Sequence, residues 1–214
     1  MPEPDAAHAH QFESFEQQRD ADTTGMWTFL ATEVLFFGGL IVCYTFGRFS
    51  FPAAFEAASH HLYVGYGGPN TAILLCSSFT MALAVRSAQL GRRKALVGFL
   101  IATVLFGIGF LVVKGFEYHT DYVERLVPKW HFHWDGPDAG HAELFFWLYF
   151  VLTGLHAVHV TIGVVLLSVV ACLGWKGKIT AENHMTAEIS GLYWHFVDIV
   201  WVFLFPLLYL IGHR

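Results

Sequence analysis

The sequence predicts an all-α fold: a polytopic membrane bundle of five transmembrane helices, with the N-terminus cytoplasmic and the C-terminus outside. Three observations carry this reading. Five mostly apolar runs, at residues 27–49, 69–89, 95–117, 143–173 and 189–212, each reach the roughly 20 residues that cross a hydrocarbon core of about 30 Å. Charged residues make up 14% of the chain and hydrophobic ones 55%, whereas soluble domains carry about a quarter charged. Lysine and arginine gather in alternate connections, as the positive-inside rule requires of a membrane protein. Buried helices of a soluble protein would be shorter and would come with amphipathic partners, which the sequence lacks.

Residues 1–25 form an acidic polar tail and residues 26–214 the membrane domain. The tail holds Glu3, Asp5, Glu13, Glu16, Asp20 and Asp22 against Arg19 alone, and so accounts for the net charge of −5. It has no basic stretch followed by an apolar one, so no cleaved signal peptide is expected. No basic surface exists for nucleic acid, and that class of partner is excluded. The first helix can begin upstream of Trp27, since residues 14–26 contain no proline.

The connection between the second and third runs carries Arg92, Arg93 and Lys94, and that between the fourth and fifth carries Lys176 and Lys178. The connection at 50–68 has neither lysine nor arginine, and the one at 118–141 has only Arg125 and Lys129. The two basic connections are therefore assigned to the cytoplasm. The fourth run is the longest and should tilt or protrude. In the outer loop, His131 and His133 alternate with aromatics, which suits solvated anchors at the headgroup level better than a metal site. Cys43, Cys76 and Cys172 all lie in apolar runs with no paired spacing, which suits packing rather than disulfides or zinc.

Ionisable side chains inside a span are costly unless paired or solvated, so the few present are the candidate functional residues. Glu33 lies about 10 Å into the first run at 1.5 Å per residue, with no opposite charge within a turn or two of sequence. A lone carboxyl at that depth is costly to keep ionised, and His156, His159 and His195 are the partners on offer. Lys114 and Glu117 stand three residues apart and read as an interfacial pair at a helix end, the lysine snorkelling toward water. His195 and Asp198 have the same spacing and read as a polar staple in which the carboxylate accepts from the ring. His156 and His159 share a face with Gly163, where a small residue permits close helix contact and the rings can donate across it. A haem held by His159 and His195 is open to spacing alone, although hydrogen-bonded core histidines are the simpler reading. A membrane di-iron centre would need several histidine-rich boxes, and one His-x-x-His in a span is too few.

Four segments resemble the subunit III family of haem–copper oxidases, in its five-helix form. They are GMWTFLATEVLFF at 25–37, NTAILL at 70–75, GLHAVHVTIG at 154–163 and YWHFVDIVWVF at 193–203. Their order and spacing cover the chain from about Gly25 onward. The resemblance implies a non-catalytic membrane subunit of a cytochrome c oxidase, with no catalytic residue, no metal and no redox cofactor of its own. Haem and copper would lie in partner subunits I and II, where dioxygen is reduced to water with proton translocation. It also implies packing against subunit I, phospholipid held in a cleft, a bacterial-type plasma membrane, and Glu33 at the family's carbodiimide-reactive glutamate. Histidines 156, 159 and 195 with Asp198 would be its polar support. Lys114 and Gly115 depart from the neutral stretch of mitochondrial members, which leaves the electron donor open. A quinol oxidase subunit or a nitric oxide reductase-associated homologue is the alternative within the family. A haem-binding membrane cytochrome and a small ion transporter with Glu33 in its path are the alternatives of another class.

Overall fold

The computed structural model describes residues 15–129, 132–136 and 138–210. The first half of the acidic tail, His131 and the residues beyond 210 lie outside that range. Within it the chain forms helices α1 (Phe15–Ser50), α2 (Pro52–His61), α3 (Val64–Gln89), α4 (Arg93–Val123), α5 (Ala139–Trp175) and α6 (Met185–Phe205), closed by a π turn at Pro206–Leu210. Five of these segments are long and apolar enough to cross a membrane, and each contains the greater part of one predicted run. No strand occurs among the described residues.

The helices outrun the apolar stretches. With 37 residues, α5 is about 55 Å long, well beyond the hydrocarbon thickness. Helix α1 starts at Phe15, so residues 15–25, assigned to the polar tail, are already helical. Polar residues continue a helix into water at little cost, and only burial separates the wet turns from the dry ones. Helix α2 was not predicted. It opens on Pro52 at its first turn, where a missing N–H is harmless, and buries Ala54, Phe55 and Ala58. A Cβ on Gly47 of α1 would sit 2.7 Å from the Phe55 ring, so the glycine is what lets α2 fold back onto α1.

Helix α6 is fastened to its neighbours by ring N–H and hydroxyl donors. Trp194 Nε1 donates to Ser77 Oγ at 2.8 Å, Trp201 Nε1 to Thr71 Oγ1 at 3.1 Å, and Tyr193 O–H to the His159 carbonyl at 3.1 Å. Bonds of this kind hold helices together where water is absent. The Trp194 ring is wedged between α4 and α5, and a Cβ on either Gly107 or Gly163 would stand 2.7 Å from it. Gly163 thus gives the close contact that its spacing from the histidines suggested. At one end of the bundle Arg93 Nε donates to the Gly174 carbonyl at 3.0 Å. That bond puts the two lysine- and arginine-rich connections side by side. Each turns on a glycine with positive φ, Gly91 at 65° and Gly177 at 74°, a conformation that a Cβ would strain.

Candidate functional site at the α1–α5 seam

Helix α1 presents Glu33 to α5, where His159 waits. Glu33 Oε2 and His159 Nε2 stand 3.2 Å apart, with side chains 18% and 13% exposed. This is an ion-pair distance whose angles fall outside hydrogen-bond geometry. The other ring nitrogen, Nδ1, is 2.8 Å from the Leu155 carbonyl one turn back on α5. A carbonyl can only accept, so Nδ1 carries a proton. Nε2 then has two options. Either it bears the second proton of an imidazolium facing a carboxylate, or its lone pair faces a protonated Glu33. Phe37 meets the imidazole edge-on at a centroid distance of 5.3 Å, which fixes the ring against α1.

His156 does not share this seam. It is fully buried, packed between Phe110 and Trp201 at 5.3 and 5.1 Å between centroids. Neither ring nitrogen has a hydrogen-bond partner among the described residues. The expected donation across helices is therefore absent for His156. Three residues separate it from His159, which rotates it 60° away and into the aromatic core.

The expected bond between His195 and Asp198 is also absent. His195 Nδ1 lies 2.7 Å from Ser78 Oγ on α3, and Asp198 is buried with no hydrogen bond to either carboxylate oxygen. Ser78 is the polar neighbour of both. The facing helix supplies a hydroxyl closer to the ring than the carboxylate on the ring's own helix. His159 and His195 thus turn toward different helices, α1 and α3, and do not converge on one ligand.

Lys114 and Glu117 do pair, at 3.0 Å, but not at a water-facing rim. They are 2% and 1% exposed. The ammonium donates to Glu117 Oε2, to Tyr149 O–H at 3.0 Å and to Tyr209 O–H at 2.7 Å. It also lies 4.7 to 5.5 Å from four ring centroids, those of Tyr118, Tyr149, Trp201 and Tyr209. Both phenols in turn donate to Glu117 Oε1, and Tyr149 reaches Asp121 Oδ2 at 3.2 Å. The lysine does not snorkel because α5 and the C-terminal π turn bring phenols to it. Pro206 lacks the N–H that would continue α6 regularly, and the wider turn that follows carries Tyr209 inward. Ser59 Oγ and Tyr44 O–H donate to the Leu208 and Leu207 carbonyls of that turn.

Sequence reasoning missed the partners Ser78, Asp121, Tyr149 and Tyr209, of which Tyr149 and Asp121 left a trace. Tyr149, Thr153, His156, Val160 and Gly163 are all buried on α5, and their spacing of four, three, four and three marks one face. Asp121 follows Lys114 and Glu117 on α4 at the same periodicity, in a helix that runs to Val123 rather than ending at Glu117.

Residues 13–213 match the family described as cytochrome c oxidase subunit III. The chain belongs to that family. Its relatives divide between electron donors. A quinol oxidase subunit 3 of Bacillus spizizenii is 32% identical over 212 residues, covering 97% of each chain. A cytochrome c oxidase subunit 3 of Corynebacterium diphtheriae is 31% identical over 191 residues, covering 88% of this chain and 87% of its own. A haem–copper oxidase subunit I+III of Aeropyrum pernix is 30% identical over 90% of this chain, which spans 23% of that longer polypeptide. This chain is thus a multi-pass membrane subunit III of a haem–copper oxidase, associated with other subunits of an oxidoreductase complex.

Proposed function

We propose that this subunit III takes no direct part in the redox chemistry and supports the proton supply and durability of the catalytic subunit through the Glu33–His159 pair. The 3.2 Å contact across the α1–α5 seam carries the reading. It sets a carboxyl against an imidazole, and both remain partly accessible. On this reading, the haem and copper that reduce dioxygen to water belong to subunits I and II. Subunit I is the main neighbour, a reading supported by the relative named subunit I+III. Cytochrome c is taken as the donor, with quinol as the alternative; relatives of both kinds match this chain. Phospholipid packs against the Phe- and Gly-rich faces, in a bacterial plasma membrane with the basic connections inside.

Two measurements test this. Purified in gentle detergent, the tagged chain brings along a haem- and copper-containing partner and is itself colourless. A Soret band from the isolated chain, or its isolation alone, overturns the assignment. Within the complex, Glu33→Ala leaves assembly intact but shortens active lifetime under turnover or slows proton uptake. Unchanged lifetime and uptake remove Glu33 from the function.

A further inference from the structure

On the face between α4 and α5, two adjoining cavities of about 460 and 270 Å³ share Val97, Ile101 and Trp175 in their walls. Together they form one trough whose character changes along its length. Arg93 and Lys94 stand at its mouth. Its floor then runs over Gly98, where a Cβ would meet nothing within 4 Å, to Val104 and Leu105 farther along the outer face of α4. From Arg93 to Leu105 the helix rises about 18 Å, close to the extended length of a common fatty acyl chain. Trp175, 69% exposed at the end of α5, marks the level where indoles sit among lipid headgroups. Among the described residues, only α4 and α5 line this trough.

The mouth is shaped for an anion. Arg93 spends Nε on the Gly174 carbonyl and lays its guanidinium across the Gly177 turn. This locks the side chain in place and leaves further N–H groups to donate. Lys94 beside it is exposed. Both lie at the end of the bundle that lysine and arginine counts place on the cytoplasmic side, where the leaflet is anionic.

We infer that this trough binds one anionic phospholipid of the cytoplasmic leaflet, with its phosphodiester on Arg93 and Lys94 and an acyl chain laid from Gly98 to Leu105. The inference gives a place and a headgroup chemistry to the lipid contact in the functional reading. It is separate from the Glu33 seam, which opens between α1 and α5.

The test uses the intact, delipidated oxidase complex titrated with phosphatidylglycerol or phosphatidylcholine of identical acyl chains, with bound lipid read by native mass spectrometry. Wild type retains phosphatidylglycerol in preference. Lys94→Glu weakens that binding on the order of tenfold or more, as expected for reversing one charge at the headgroup. Gly98→Leu fills the floor and weakens both lipids. Lys178→Glu, an exposed charge at the same end but off the trough, changes neither. Equal retention of the two lipids overturns the site, as does equal weakening by Lys94→Glu and Lys178→Glu. Indifference to Gly98→Leu, or a photo-crosslink from Ile101 to another subunit, overturns it too. These readouts do not involve turnover, so a complex that lacks haem or copper sinks the functional reading and leaves the lipid result standing.

Discussion

Two ionisable clusters sit in this bundle, and they are built differently. Around Lys114 every donor finds an acceptor within one sealed shell. The lysine bonds a carboxylate and two phenols, and the phenols return their protons to the same carboxylate. Around Glu33 the shell is thin. One imidazole faces it at an imperfect angle, and both side chains keep a little exposure. A saturated, enclosed network holds its protons in place, and removing any member leaves a charge or a polar atom stranded in a medium that cannot solvate it. The Glu33–His159 pair has no such closed shell, so replacing one member strands fewer bonded groups. The difference separates a cluster on which the packing depends from one to which the proposed function assigns proton exchange.

The sharpest way to break this contrast is to delete the buried cation. Lys114→Met strands the Glu117 carboxylate and should cost about 3–5 kcal/mol, seen as a fall in thermal midpoint and in recovered complex. The double variant Lys114→Met, Glu117→Gln keeps acceptors for both phenols and should restore most of that loss. If the double is no better than the single, the network is not electrostatically saturated.

Tyr209→Phe comes next. It removes one donor to Glu117 and one acceptor from Lys114 without changing the ring, and should cost about 1–3 kcal/mol in the same thermal assay. At the seam, Glu33→Gln should lower the thermal midpoint less than Lys114→Met does, because fewer bonded groups are stranded, while shortening the active lifetime. A large stability loss there would erase the distinction between the two clusters.

The smallest effect belongs to the outer surface. Tyr63 O–H donates to Glu124 Oε1 at 2.7 Å, and that bond, followed by the carboxylate's charge, raises the phenol above its ordinary value of 10.0. A raised acid favours the folded state below the unfolded value, and the benefit fades as pH climbs through the folded one. Wild type and Tyr63→Phe should therefore differ slightly near neutrality and converge at strongly alkaline pH. A gap that widens with alkali would overturn the sign.

The spans were legible because hydrocarbon imposes a length and a composition that few other environments impose. Their ends were not, since Gln17, Arg19 and Asp20 continue α1 into water without any hydropathic mark. The pairing of Lys114 with Glu117 was legible from spacing along one helix. Its enclosure was not, because Tyr149 and Tyr209 arrive from elements 35 and 95 residues away. The same limit explains Ser78, which comes to His195 from 117 residues upstream. His156, His159 and His195 were the candidate partners for Glu33, and His159 is the one that the α1–α5 packing delivers. His156 faces the wrong way. Helix α2 escaped notice because ten residues are too few for a hydropathy window tuned to crossings.

The π turn after Pro206 has a consequence for biogenesis. A ribosome makes α4 long before it makes Tyr209, so an ammonium and a carboxylate enter the bilayer lacking part of the shell that later encloses them. Only when the final helix inserts and its terminal coil swings inward is that debt of solvation settled. Maturation of this subunit is thereby tied to its last span, and a nascent chain stalled before it presents an open polar wound that quality-control proteases can recognise.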